Sequence, residues 1–177
     1  MSYQSPGSAP PATTTRAPAL SRQPAVLVDM DGTLCDVSAV VHLQAEPDGF
    51  TSFHEACAQC PPHQAAIEWC IDQHGRGHSI LIVTGRDAWT RELTEQWLSE
   101  HLPVPIDGLH MRPNGDFRPN THIKRDIHSR LALTYEIRAA IDDDPEIVEL
   151  WQELGIPVAM VLNCGEVVLS PPDEHEQ

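Results

Sequence analysis

The sequence predicts an α/β protein in which a parallel sheet is sandwiched by helices. Three observations lead there. Short apolar runs recur at residues 25–29, 79–83, 138–141 and 158–162, and an unbroken apolar run is what a strand covered on both faces requires. Stretches with helical periodicity lie between the runs. Finally, the first three runs end in carboxylates, a hydroxyl and a guanidinium, and parallel sheets bind ligands beyond the C-terminal ends of their strands.

Taken in order, residues 1–22 are Ser, Pro, Ala, Thr and Gly with two arginines. That composition cannot bury a core and predicts a disordered tail. The first strand, 25–29, follows. Residues 35–62 are punctuated by Pro47, Gly49, Pro61 and Pro62 and show weak periodicity. Residues 63–74 predict a helix, with Ala66, Ile67, Cys70 and Ile71 on one face and Gly75 as its stop. The strand 79–83 leads into a helix over 87–100 with Trp89, Leu93 and Trp97 on one face, placing the tryptophans in the core. A short strand is expected near 108–111 and a polar loop over 112–120. A helix over 121–135 buries Ile123, Ile127 and Leu131 and carries Lys124 in its first turn. Asp144 and Pro145 after strand 138–141 form a helix start. That helix runs over 146–154 and is followed by the last core strand, 158–162. Residues 170–177 read as a disordered acidic tail, which leaves 23–169 as the domain.

Composition narrows the function. The net charge is −15, which disfavours general coating of nucleic acid and favours solubility. Seven of the eleven positive residues nevertheless fall between residues 86 and 130, among them Lys124, the single lysine. No apolar run is long enough to span a membrane. Without an N-terminal apolar h-region or a disulfide framework among the five cysteines, a cytoplasmic location is expected. His54, Cys57, Cys60 and His63 are types that ligate zinc. All four fall within ten residues and along one side of any helix, so packed or exposed side chains are expected and no zinc.

The chemistry-bearing residues lie at the strand ends. Asp29-Met30-Asp31-Gly32-Thr33-Leu34 places two carboxylates one residue apart before a glycine that lets the backbone turn. Thr84-Gly85-Arg86 offers a hydroxyl, an unobstructed backbone N–H and a forked cation, all suited to phosphate. Lys124 sits near a helix start, against the dipole. Asp142 and Asp143 end the third run, and Asp144 is taken up by the helix cap.

In this order the four segments resemble the four motifs of the haloacid dehalogenase (HAD) superfamily, over about residues 24–163. Arg91, Thr94, Trp97 and Leu98, then Met111, Arg112, Asp116 and Arg118, and Val148-Glu149-Leu150-Trp151 with Gly155 narrow the likeness. They resemble the 3′-phosphatase domain of phage-type polynucleotide kinase/phosphatases. One position departs: Asn120 stands where an aspartate is expected, four residues before the lysine. The resemblance implies a Rossmann-like HAD fold. The 35–62 interval is too short for a large cap, so a small cap or none is expected.

The resemblance also implies roles. Asp29 would attack phosphorus and form an aspartyl-phosphate, and Asp31 would act as general acid and base. Mg²⁺ would be held by Asp29, Asp31 through its backbone carbonyl, Asp142 and Asp143. Thr84, Gly85 and Lys124 would hold the phosphoryl group, Arg86 would hold the phosphate or the substrate beyond it, and Arg112 and Arg118 would contact phosphates beyond the scissile one. The implied activity is removal of a 3′-phosphate from a polynucleotide end. A 5′- or 3′-nucleotidase acting on mononucleotides is the rival enzyme, and a catalytically silent interaction module the rival from another class. No GxxxxGK[ST] phosphate loop occurs in the sequence, so a kinase or ligase would be a separate partner. The oligomeric state stays open.

Overall fold

A computed structural model describes residues 22–46, 49–163 and 165–169. The expected tails, 1–22 and 170–177, lie outside those residues apart from Arg22. Six strands form one sheet: β1 (Gln23–Val28), β2 (Ser79–Asp87), β3 (Gly108–Arg112), β4 (Tyr135–Asp142), β5 (Val158–Val161) and β6 (Val167–Leu169). Their order is β3-β2-β1-β4-β5-β6. All neighbours are parallel except β5 and β6.

The unbroken apolar runs have the predicted cause. In β1, Val26 and Val28 face one apolar cluster, with Phe53, Ile67, Cys70, Trp97 and Leu98. Ala25 and Leu27 face the other, with Ile123, Ile127, Leu131, Ile147 and Trp151. Helices α1 (Gly49–Cys57), α2 (Gln64–Gly75) and α3 (Arg91–His101) therefore cover one face, and α4 (Asn120–Leu131) and α5 (Pro145–Glu153) the other. Each fully buried Leu or Ile on this sheet contributes about 1.5–3 kcal/mol of burial free energy.

The topology positions the site. Strand β1 lies between β2 and β4, and the chain changes direction across the sheet there, which makes the β1 end a switch point. Val28 is in register with both Ile82 and Ile141. The next residues therefore bring Asp29 and Asp142 to one sheet edge, where the Asp29 N–H donates to the Ile141 carbonyl at 3.1 Å. The Asp144 cap is as predicted: its carboxylate accepts from the Glu146 N–H at 2.9 Å, with Pro145 at the first helical position.

Several elements differ from expectation. Trp89 is not on the buried face of a helix. A single 3₁₀ turn, Ala88–Thr90, precedes α3 and leaves Trp89 46% exposed, whereas Trp97 is buried. The helix expected over 121–135 ends at Leu131, because Tyr135 pairs with Gln23 and opens β4. Lys124 is thus the fifth residue of α4, beyond its first turn. The 35–62 interval folds into a 3₁₀ turn, Val41–Ala45, and the two-turn helix α1, too short to register as a period in sequence. Strand β6 is an added antiparallel edge.

Candidate active site

Asp29, Asp31, Thr84, Gly85, Arg86, Arg112, Arg118, Lys124, Asp142 and Asp143 all line one cleft of about 740 Å³ beyond the strand ends. Its far wall comes from Val37, Val41, Gln44, Phe53 and His54 of the 35–62 interval. The cleft thus gathers every candidate site residue, but several play roles the sequence did not indicate.

At the centre, the Lys124 ammonium donates to Asp29 Oδ1 at 2.6 Å and to Asp142 Oδ2 at 2.7 Å. Lys124 is only 2% exposed. Burial alone would lower its pKa, but the Asp142 and Asp29 carboxylates outweigh it and hold the amine protonated, well above its ordinary value. Asp29, Asp142 and Asp143 bring carboxylate oxygens within 4.8 Å of one another. One ammonium cannot neutralise three carboxylates. Burial, offset in part by Lys124, raises Asp29 to about 7. Burial and then the Asp29 charge raise Asp143 to about 7, and Asp142 is raised as well, chiefly by burial. This all-oxygen, charge-excess group suits a hard divalent cation. It is the one such group of three among the described residues. The Asp31 side chain, turned onto Arg86, is not part of it.

Gly32 serves two ends. Its φ is +84°, and a Cβ there would lie 2.1 Å from Asp143 Oδ2. The glycine allows both the turn after Asp31 and the close approach of Asp143, which Thr33 Oγ1 holds by donating at 2.9 Å.

Arg86 is placed otherwise than expected. Its guanidinium is not presented to a phosphate but is 1% exposed and committed within the chain. Nε and Nη2 grip both Asp31 oxygens, the shortest contact being 2.5 Å, and Nη1 donates to Thr94 Oγ1 at 3.1 Å. Thr94 thereby props the arginine that holds Asp31. The Arg86 N–H donates to Thr84 Oγ1 at 3.2 Å, which leaves the Thr84 hydroxyl proton for another acceptor.

Arg112 and Arg118 are likewise engaged. Arg112 Nε donates to the Gly85 carbonyl at 3.0 Å, Nη1 to the carbonyls of Asp116 and Arg118 at 2.8 and 2.7 Å, and Nη2 to Asn120 Oδ1. It clamps the 112–120 loop to the end of β2 instead of reaching outward. Arg118 pairs with Asp116 at 2.7 Å and Asp126 at 3.0 Å. Gly85 also has a new reason: a Cβ there would come 2.5 Å from Asn120 Oδ1. Asn120, flagged in sequence only as a departure, is therefore seated against the Thr84-Gly85-Arg86 turn.

His54, Cys57, Cys60 and His63 do not converge on a common point. Cys60 Sγ lies 3.8 Å from the Ala56 carbonyl, His63 precedes α2 as its N-cap, and His54 faces the cleft. Burial pushes the Cys57 and Cys60 thiols up, and these four residues form no ligand group of three among the described residues.

The chain that gathers these groups at the switch point of its sheet is related to HAD-type phosphatase domains. It belongs to the family described as "Polynucleotide kinase PNKP phosphatase domain", which matches residues 23–165. A putative bifunctional polynucleotide kinase/RNA ligase of Autographa californica nuclear polyhedrosis virus is 28% identical over 127 residues. That match takes in 70% of this chain and 18% of the relative. A chain in the Pnkp1/Rnl/Hen1 RNA repair complex superimposes with a TM-score of 0.69 at 23% identity, over 85% of this chain and 47% of that one. The class C acid phosphatase of Bacillus anthracis, with tungstate bound, gives a TM-score of 0.53 at 14% identity, over 70% and 53% of the two chains. The chain thus spans less than a fifth of the viral relative and about half of each structural neighbour. Among the described residues, no helix is long and apolar enough to cross a membrane.

Proposed function

We propose that the chain is a Mg²⁺-dependent phosphomonoesterase that works through an aspartyl-phosphate on Asp29 and removes 3′-phosphates from polynucleotide ends. The observation that carries the chemistry is the Lys124 bridge to Asp29 and Asp142. It fixes one oxygen of Asp29 and leaves the other for attack in a buried setting. As the Asp29 oxygen bonds to phosphorus, the ester P–O bond breaks and Asp31 gives its proton to the leaving oxygen. Asp31 then takes a proton from water as that water attacks phosphorus. The Asp29 O–P bond breaks, inorganic phosphate leaves, and the site returns to an Asp29 carboxylate and a protonated Asp31. Arg86 holds the Asp31 carboxylate in one plane for both steps. The Thr84 hydroxyl and Lys124 would hold phosphoryl oxygens. Asp29, Asp142 and Asp143, with the Asp31 backbone carbonyl, would hold Mg²⁺, which when bound supplies positive charge to offset the negative charge of the phosphoryl group.

The family supports the substrate class, and a small cap leaves room at the cleft for a chain end. The relatives named for a kinase/RNA ligase and for an RNA repair complex support work beside a kinase or ligase. Catalytic efficiency on a mononucleotide, a dinucleotide and a longer oligonucleotide, each with a 3′-phosphate, should rise with length and vanish in chelator. A flat or falling series would favour the nucleotidase reading.

The metal reading carries a pH prediction. An unfolded Asp releases its proton near pH 3.9, whereas Asp29 and Asp143 in the metal-free fold hold theirs to about 7. Between those values the folded chain binds more protons than the unfolded one, so stability falls as pH rises through that window. In chelator, the Tm should drop from pH 5 to pH 8, and Mg²⁺ should restore it at pH 8. Asp143→Asn should raise the metal-free Tm at pH 8 by about 2–4 °C, the equivalent of about 1 kcal/mol, and should blunt the Mg²⁺ response. A metal-free Tm that is flat across this range, with no response to Mg²⁺, would rule the cation site out.

A further inference from the structure

We infer that Phe117 is a stacking platform for the nucleobase next to the scissile phosphate, a base subsite at the mouth of the cleft. Phe117 lines the cleft and is 95% exposed. A single exposed apolar side chain is ordinary on a protein surface; what distinguishes this one is how firmly its backbone is held. The carbonyls on either side of it, those of Asp116 and Arg118, both accept from Arg112 Nη1. The Arg118 N–H donates to Asp116 Oδ1 at 3.1 Å, closing a short turn around residue 117. Arg118 is tied in turn to Asp116 and to Asp126 on α4. Arg112 Nε reaches the Gly85 carbonyl, so the loop is anchored to the strand end that carries Thr84. The phenyl ring is thus carried to the mouth of the phosphate cleft on a backbone that loses little freedom when a ligand arrives.

The chemistry of the occupant follows from the surroundings. The cleft floor takes a phosphate ester, so what lies against the ring is the group that the phosphate is attached to. A planar nucleobase matches an exposed ring, and stacking of this kind is tolerant of base identity. The arginines expected to supply phosphate contacts are committed to holding the loop. On this reading they act on the substrate indirectly, by presenting Phe117.

The inference rests on the nucleic-acid substrate proposed above, and the test separates the two. KM and kcat are measured on an oligonucleotide 3′-phosphate with a normal terminal nucleotide, on the same oligonucleotide ending in an abasic 3′-phosphate, and on glycerol phosphate. Phe117→Ala should raise KM about tenfold on the first substrate and leave the other two unchanged. Phe117→Trp should retain wild-type KM, while Phe117→Leu, apolar but without a π face, should behave like the Ala variant. Leu133→Ala removes a comparably exposed apolar side chain outside the cleft and should change nothing. A terminal 2-aminopurine should be quenched on binding to Asp29→Asn but not to the Asp29→Asn, Phe117→Ala double variant. Equal KM changes on the base-bearing and abasic substrates, or none on either, would overturn the stacking role alone. Turnover of glycerol phosphate with none of either oligonucleotide would overturn the substrate proposal and the base subsite with it.

Discussion

Asp29→Asn should reduce phosphatase turnover by at least about three orders of magnitude. The variant keeps the size of the side chain and its place against Lys124 Nζ, so the fold should survive, with a Tm within a few degrees of wild type. What it loses is the anionic oxygen that would bond to phosphorus. None of the other carboxylates in the cleft can substitute. Asp31 is turned onto Arg86, Asp142 is tied to Lys124 and sits one strand away, and Asp143 is held by Thr33. Asp31→Asn should also cripple turnover, but for a different reason: the leaving oxygen departs unprotonated. An aryl phosphate with an acidic leaving group should therefore still load a labelled phosphoryl group on the Asp31→Asn enzyme, and that label should be absent from Asp29→Asn. More than a small fraction of wild-type rate in Asp29→Asn would remove the covalent mechanism.

Lys124→Ala is expected to cost both activity and stability. Removing one partner of a buried ion pair typically destabilises by about 3–5 kcal/mol, because the other charge stays buried and unpaired. Here two carboxylates lose the same partner. The loss should be largest in metal-free protein near pH 8, and smaller near pH 5, where Asp29 holds its proton in the fold and its charge no longer needs the lysine. Lys124→Arg should not rescue. The ammonium occupies a site with both carboxylates at 2.6–2.7 Å, and a planar guanidinium is larger and directs its donors differently. Wild-type kinetics in the Arg variant would reduce Lys124 to a replaceable charge.

In sequence, Lys124 was notable as the single lysine and for standing against a helix dipole. Its burial explains the placement, since α4 packs Ile123 and Ile127 against the sheet and carries the lysine stem inward with them. Arg86 shows the opposite outcome. Its neighbourhood, after a strand and a glycine, suggested phosphate, yet it folds back on Asp31. The partner lies 55 residues away, and no local pattern reveals which of several anions a guanidinium will meet. Asn120 was marked only by the aspartate expected in its place, and Phe117 carried no signal of its own, because a phenylalanine in a polar loop has no period to obey.

The sequence by itself determined the sheet-and-helix layering, the strand-end positions of Asp29, Asp31, Thr84, Asp142 and Asp143, and the helix start at Asp144. Each of these follows from local rules: apolar runs for strands buried on both faces, period for helices, and caps at helix starts. Only the tertiary structure decided the pairings of Lys124, Arg86, Arg112 and Arg118, the wall made by the 35–62 interval, and the exposure of Trp89 and Phe117. Those depend on which strand ends become neighbours. Strand order here is β3-β2-β1-β4-β5-β6, a property of long-range packing, and a charged side chain takes the partner that this packing brings within hydrogen-bond reach.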